Sequence, residues 1–169
     1  AAADTWCCLV TLEKVPYPGC EVLVVDNGST DDSVAILRRA FPHVNLIETG
    51  QNLGFVGGNN VGLEFARGSG AEYALLLNND TEVAPDFLDH LVAAAESDPQ
   101  VGITGPSIYY FDEPDTFWSA GGSIDWKKGV TNMVGINQVE QGQYGTQPRA
   151  VDFVTGCALL IKMDVVSKV

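Results

Sequence analysis

Positive charge is scarce in this chain. Nine Lys and Arg stand against 22 Asp and Glu in 169 residues, a net charge of −13. A nucleic-acid partner needs its phosphates neutralised in bulk, and this balance excludes one. No basic helix or Arg-rich stretch reads as a membrane-surface element. No apolar run is long enough to span a bilayer, and no secretory signal or internal repeat is present. Histidine is nearly absent too: His43 and His90 have no partner at ligand spacing and read as surface residues. The four cysteines, Cys7, Cys8, Cys20 and Cys157, show neither Cys-X-X-Cys nor metal-ligand spacing. They read as reduced thiols of a cytosolic protein. Cys7 and Cys8 are neighbours on an expected helix, so only one of them can face a core.

What the chain does have is two apolar strands that stop abruptly in polar residues. Tyr73-Ala74-Leu75-Leu76-Leu77 runs into Asn78-Asn79-Asp80. A five-residue apolar run reads as a strand buried on both faces of a parallel sheet. In such sheets ligands bind beyond the carboxyl ends of the strands. A carboxylate there suits a divalent cation and, through it, a phosphate. Val22-Leu23-Val24-Val25 ends in the same way, in Asp26-Asn27-Gly28-Ser29-Thr30-Asp31. Gly28 permits a tight turn, and Thr30 or Asp31 can cap the next helix. Asp26 is suited to accept hydrogen bonds from a base N–H or a ribose hydroxyl, and unsuited to phosphate. A strand-ending turn with no ligand explains either junction taken alone. Two in the same chain favour a nucleotide site.

The order of elements agrees. A helix is expected from Val34 to Phe41, stopped by Pro42, then a strand over 44–48. A loop from Asn52 to Asn60 opens a helix that closes near Gly68. After the Asp80 strand comes a helix with Pro85 in its first turn, ended by Asp98-Pro99, and then a strand from Val101 to Phe111. Alternation at this spacing gives an α/β fold with a mostly parallel sheet flanked by helices. Ser119 to Gly129 reads as a hairpin or flap between Trp118 and Trp126, and residues 129–148 as a mobile loop.

Together these stretches resemble the nucleotide-sugar domain of family 2 glycosyltransferases, which have the Rossmann-like GT-A fold. The resemblance is carried by Val24-Val25-Asp26-Asn27-Gly28-Ser29-Thr30-Asp31, by Asn52-Leu53-Gly54-Phe55 with Gly58-Asn59-Asn60-Val61-Gly62, and by Leu77-Asn78-Asn79-Asp80-Thr81-Glu82-Val83. Weaker matches follow at Ser119-Ala120-Gly121-Gly122 and Val151-Asp152-Phe153-Val154-Thr155-Gly156, so nearly the whole chain is covered. Within the family the chain looks most similar to bacterial rhamnosyltransferase-like members.

The resemblance implies an inverting transfer of a sugar from a UDP- or dTDP-sugar to a glycan or lipid-linked acceptor. Asp26 would contact the base, with Asn27 and Ser29 nearby, and Asn59 stands where many members carry a nucleotide-pocket arginine. Asn78, Asn79 and Asp80 occupy the Asp-X-Asp position, so Asp80 would hold a Mg or Mn ion on the diphosphate. Asn78 replaces the first acid there. It can coordinate through its carbonyl but brings no charge.

The resemblance also implies a single GT-A domain over 1–169, with a donor-binding half at 1–111 and an acceptor-side half at 112–169. Relative to the family pattern the chain is expected to be truncated at both ends. It lacks the first strand, going straight to a helix through Trp6, Leu9, Val10 and Glu13, and it lacks the acidic motif of the catalytic base. As it stands the chain is expected to be inactive alone. Asp152 is the available candidate for a base, and a second copy is expected to complete the sheet. Any membrane association, at the inner face, is expected to reside outside this chain. Two other readings compete. A nucleotidyltransferase would want a Gly-rich phosphate loop with a basic residue near the first strand, which is absent. A non-catalytic nucleotide-binding or assembly module would keep the strand-end acids without the chemistry.

Overall fold

The computed structural model describes residues 2–168. It opens on the expected helix, α1 (Ala2–Leu12), which buries Thr5, Cys8 and Leu9. Strand β1 (Leu23–Asp26) follows, then α2 (Ser33–Ala40) and β2 (Asn45–Glu48). β1 and β2 pair in parallel, in register from Leu23 opposite Asn45 to Asp26 opposite Glu48. Leu9 of α1 meets Leu37 and Phe41 of the α2 segment in a buried cluster, and Val24 and Leu46 close on it from the two strands. Burying an aliphatic or aromatic side chain of this size stabilises by about 1.5–3 kcal/mol, so three such residues fix α1 and α2 on one face of the pair.

Helix α3 (Gly54–Gly68) begins seven residues earlier than the expected loop 52–60 allowed. Its glycines made that stretch look irregular. They instead let the helix lie close to β1: a Cβ at Gly58 would fall 3.3 Å from the Asn27 side-chain nitrogen, and one at Gly62 3.8 Å from Val25 Cγ2. Tertiary packing overrides the low helix propensity of glycine here.

The chain divides into two compact units. The first is drawn from Ala1–Ala74, Asn78–Asp89 and Lys162–Val169, and holds the elements above. The second takes Leu75–Leu77 and His90–Ile161. Strand β3 (Tyr73–Leu77) and helix α4 (Phe87–Glu96) contribute to both. α4 starts two residues after Pro85, so the proline precedes the helix and is not in its first turn.

The single strand expected over 101–111 is two short ones, β4 (Ile103–Thr104) and β5 (Ile108–Tyr109). Pro106 cannot donate to a ladder, and Gly105 has Val154 where a Cβ would sit, at 2.9 Å. β5 pairs antiparallel with β6 (Phe117–Ser119), and β7 (Gly122–Asp125) forms a hairpin with β8 (Val130–Met133), whose second strand lies in the stretch 129–148 expected to be a mobile loop. Strand β9 (Ala158–Lys162) lies between β3 and β4, antiparallel to β4, and leads into the short α5 (Met163–Val166). The sheet system is thus mixed. Every residue of β3 is half-buried, so that strand is not covered on both faces as its apolar run suggested.

Residues 134–148 are fastened and do not hang as an open loop. Phe117 N donates to the Gln138 carbonyl and Asn137 N to the Phe117 carbonyl, both at 2.9 Å, and Glu140 N donates to the Asp115 carbonyl at 2.7 Å. Phe117, fully buried, stacks on Tyr109 at 4.6 Å and meets Tyr144 edge-on at 5.3 Å. No helix among the described residues is long and apolar enough to cross a membrane.

Candidate functional site

At the carboxyl end of β1 the chain folds back on itself through side chains. Asp26 accepts the Ser29 N–H on Oδ2 at 3.1 Å, closing a turn that Gly28 makes possible with φ +86°. Gly28 is required for a second reason: a Cβ there would meet the carbonyl carbon of Gln51 at 2.6 Å. Asn27 is the clamp of the assembly. Its amide nitrogen donates to the Gly54 carbonyl at 3.0 Å and to Asn52 Oδ1 at 3.2 Å. Its oxygen accepts the Leu53 N–H at 2.9 Å. Asn52 Oδ1 in turn accepts the Gly54 N–H at 2.8 Å, which starts α3.

Asn27 therefore spends its hydrogen-bonding capacity on the 52–54 turn. Asp26 is half-buried with only its Oδ2 engaged by Ser29, and Ser29 is exposed. Asn59, one turn into α3, donates to the Phe55 carbonyl at 2.9 Å. Phe55 and Val56 beside it are 61% and 69% exposed. The N-cap of α2 is Asp32, not Thr30 or Asp31, and it makes no side-chain cap bond; Asp31 Oδ1 instead accepts the Ser33 N–H at 3.1 Å, and hydrogen bonding with Ser33 holds the Asp31 carboxyl below its ordinary value.

The turn after β3 is held from a different side. Asn79 donates its amide to Thr5 Oγ1 at 2.8 Å. Thr81 Oγ1 donates to the Asn78 carbonyl at 2.7 Å, and the Cys8 sulfur lies 3.9 Å from both of those oxygens. Val83 N donates to Thr11 Oγ1 at 3.2 Å. Asp80, at the turn's tip, is exposed, and its carboxylate makes no hydrogen bond or ion pair among the described residues. Burial pushes the Cys8 thiol up, the hydrogen bond with Thr81 opposes that, and the negative charges of Asp80 and Glu82 push it further up. Cys8 is accordingly a neutral thiol.

Asp26, Asn27, Ser29, Asn59, Asn78, Asn79 and Asp80 all belong to the first unit. Asp152 belongs to the second, where its Oδ2 accepts the Ile124 N–H at 2.8 Å and its own N–H donates to Gly122, fastening the segment to the β7–β8 hairpin. The α1 residues Thr5, Cys8 and Thr11 were missed by the sequence reading. Their three-residue spacing on one helix face was the available signal. His43 lies at the surface as expected, where its Nε2 is 3.2 Å from Glu13 Oε1. A cavity of about 640 Å³ lined by Leu12, Val15, Val22, His43 and Val44 opens at the amino ends of β1 and β2, the far ends from Asp26.

Among the described residues no cluster of three or more His, Cys, Asp or Glu could hold a metal. The polar set at Asp80 nevertheless fits a cation of one kind. Mg-type ions take one or two carboxylates and draw their other ligands from substrate phosphates and water. A single uncommitted carboxylate meets that demand only when a phosphate is present.

Comparisons with known proteins bear on the family and the fold. The model of glycosyl transferase family 2 matches residues 4–169. An N-acetylglucosaminyl-diphospho-decaprenol L-rhamnosyltransferase of Mycobacterium tuberculosis (strain CDC 1551 / Oshkosh) is 34% identical over 95 residues, covering 52% of this chain and 31% of that protein. The uncharacterized glycosyltransferase YibD of Escherichia coli (strain K12) is 31% identical over 101 residues, covering 58% of this chain and 28% of YibD. A crystal structure of S. aureus TarS 1-349 superposes over 98% of this chain and 44% of its own, with a TM-score of 0.56 at 17% identity, and so shares the fold. The chain spans less than half the length of each of these. By its motifs, its GT-A-like architecture and the match along almost its entire length, the chain belongs to glycosyl transferase family 2.

Proposed function

We propose that this chain carries the nucleotide-diphospho-sugar site of an inverting glycosyltransferase, with dTDP- or UDP-sugar as donor and a glycan or lipid-linked acceptor. The observation that carries the reading is Asp80: an exposed carboxylate with no hydrogen bond or ion pair among the described residues, at the tip of a turn fastened on both sides. A charged group left unengaged at the carboxyl end of a strand is where the ligands of an open α/β sheet bind.

Asp80 and Asn78 would hold a Mg or Mn ion on the diphosphate. Such an ion supplies Lewis-acid stabilisation of the charge that collects on the departing nucleoside diphosphate. Asp26 accepts a hydrogen bond from the base or ribose, and the Asn27 clamp fixes the turn that carries Asn59 and Phe55. A nucleoside with an imide N–H, uridine or thymidine, matches an acceptor such as Asp26.

A second reading, a nucleotide-binding module without transfer chemistry, is favoured by one observation. Asp152, the candidate base, is already engaged by Ile124 N, while a base must reach the acceptor hydroxyl. Calorimetric titration of UDP, dTDP and GDP, with Mn and with a chelator, tests the donor site. Binding of a pyrimidine diphosphate that needs Mn supports it, and equal binding with chelator refutes it. Transfer by a longer chain of the same protein, abolished when Asp80 is removed, decides between enzyme and module.

A further inference from the structure

We infer that α1 is a positioning element for the Asp80 turn, acting through the polar stripe Thr5, Cys8 and Thr11. The inference rests on the donor-site reading and assigns it three residues that the family motifs do not contain.

The stripe is built from the helix itself. Positions 5, 8 and 11 are three apart and share a face, and they meet the 78–83 segment at successive points. Thr5 takes the Asn79 amide at 2.8 Å, Cys8 lies against the Asn78 carbonyl and the Thr81 hydroxyl at 3.9 Å, and Thr11 takes the Val83 N–H at 3.2 Å. Thr11 is oriented for that by donating its own hydrogen to the Cys8 carbonyl at 2.8 Å, which leaves the oxygen's lone pairs toward Val83. Thr5 and Cys8 are buried, so on the helix side of these part-buried contacts solvent cannot replace a lost partner without a penalty. The side chains of Asn79 and Thr81 are thereby committed, while the Asp80 carboxylate is not.

The neighbouring face of the same helix buries Leu9 in the cluster beneath β1 and β2. One rigid element thus holds the Asp80 turn and the strand that ends in Asp26, within one compact unit. A metal site with one carboxylate has little tolerance for that carboxylate's drift, because no second protein charge compensates. Asn79 accordingly acts through its tie to Thr5 and sets where Asp80 points.

Thr11→Val and Thr5→Val keep shape and remove the hydroxyl; Thr11→Ser and Thr5→Ser keep it. Two readouts on the full chain separate the cases. Amide hydrogen exchange of residues 78–83 in the nucleotide-free protein is expected to rise in the valine variants and to stay at the wild-type level in the serine variants. The affinity for dTDP or UDP with Mn is expected to fall about fivefold per lost hydrogen bond, while affinity in chelator stays unchanged. Faster exchange with an unaltered Mn effect would make the stripe merely structural and overturn the inference. A wild-type chain with no Mn effect at all would refute the donor-site reading and the positioning role with it; that result is visible before any variant is made. If a valine variant fails to fold, Cys8→Ser against Cys8→Ala gives the same comparison at the middle contact.

Discussion

Asn27 and Gly54 are joined by a hydrogen bond of 3.0 Å, from the side-chain amide at the end of β1 to the backbone carbonyl that opens α3. With the bonds to Asn52 and Leu53, it makes one side chain the link between the turn after β1 and the helix carrying Asn59. Replacing Asn27 by Ala removes all of these and leaves backbone groups at the turn without their partner. The expected loss of stability is about 1–3 kcal/mol. Chemical denaturation measures it, and a loss below the error of that measurement would show that water substitutes for the clamp.

Gly28 tests the same turn sterically. Its φ of +86° and the 2.6 Å approach of Gln51 leave no room for a methyl group. Gly28→Ala is expected to destabilise by about 1–3 kcal/mol through strain and displaced backbone. Gly129, at φ +65° with open space around it, isolates the conformational part. Gly129→Ala should cost less in the same denaturation series.

The acid limb of stability should show Asp31. Its carboxyl lies below the ordinary 3.8 in the folded chain because of hydrogen bonds from Ser33, so the folded state holds its proton less tightly than the unfolded chain does. That contribution is present above the unfolded pKa and is lost as pH falls through the folded one. Asp164, lowered by its hydrogen bond with Lys168, acts in the same direction. Melting temperature is expected to drop below about pH 4, and to drop less steeply in Asp31→Asn. Equal slopes in the two proteins would remove Asp31 from the account.

The adjacent cysteines give a chemical readout of α1. Cys7 is exposed and Cys8 is buried, with a thiol raised by burial and by the charges nearby. The thiolate is the reactive form, so iodoacetamide should label Cys7 quickly and Cys8 slowly. Peptide mass mapping over time checks this. Equal rates would mean that α1 does not lie against the Asp80 turn.

The two strand-end junctions were legible because apolar runs ending in Asp and Asn are local patterns, and the structure puts β1 and β3 where those runs stand. The start of α3 was not legible. Its glycines argue for a loop by propensity, and only contact with Asn27 and Val25 reveals that close approach is what they serve. The split of 101–111 was announced by Gly105-Pro106 and passed over. Of the site, the sequence indicated which side chains are polar, but not which are already spent. Asn27 and Asn79 carry the same amide as Asn78, yet both are committed to partners 25 or more residues away, Asn27 to Asn52 and Asn79 to Thr5. Such pairings are non-local and leave no trace in spacing. The α1 stripe escaped for a related reason: apolar periodicity draws attention to Leu9, while Thr5 and Thr11 read as ordinary helix polarity.

The central claim is that Asp80 binds a cation only together with a nucleoside diphosphate. The direct measurement is Mn binding, by electron paramagnetic resonance, to the chain alone, with dTDP or UDP, and to Asp80→Ala under both conditions. Free nucleotide run at the same concentrations provides the baseline. The account predicts negligible binding to the chain alone, binding above the baseline with nucleotide, and a return to baseline in Asp80→Ala with a melting temperature near wild type, since that carboxylate supports no contact. Mn bound equally by the wild type and the variant in the presence of nucleotide would contradict it.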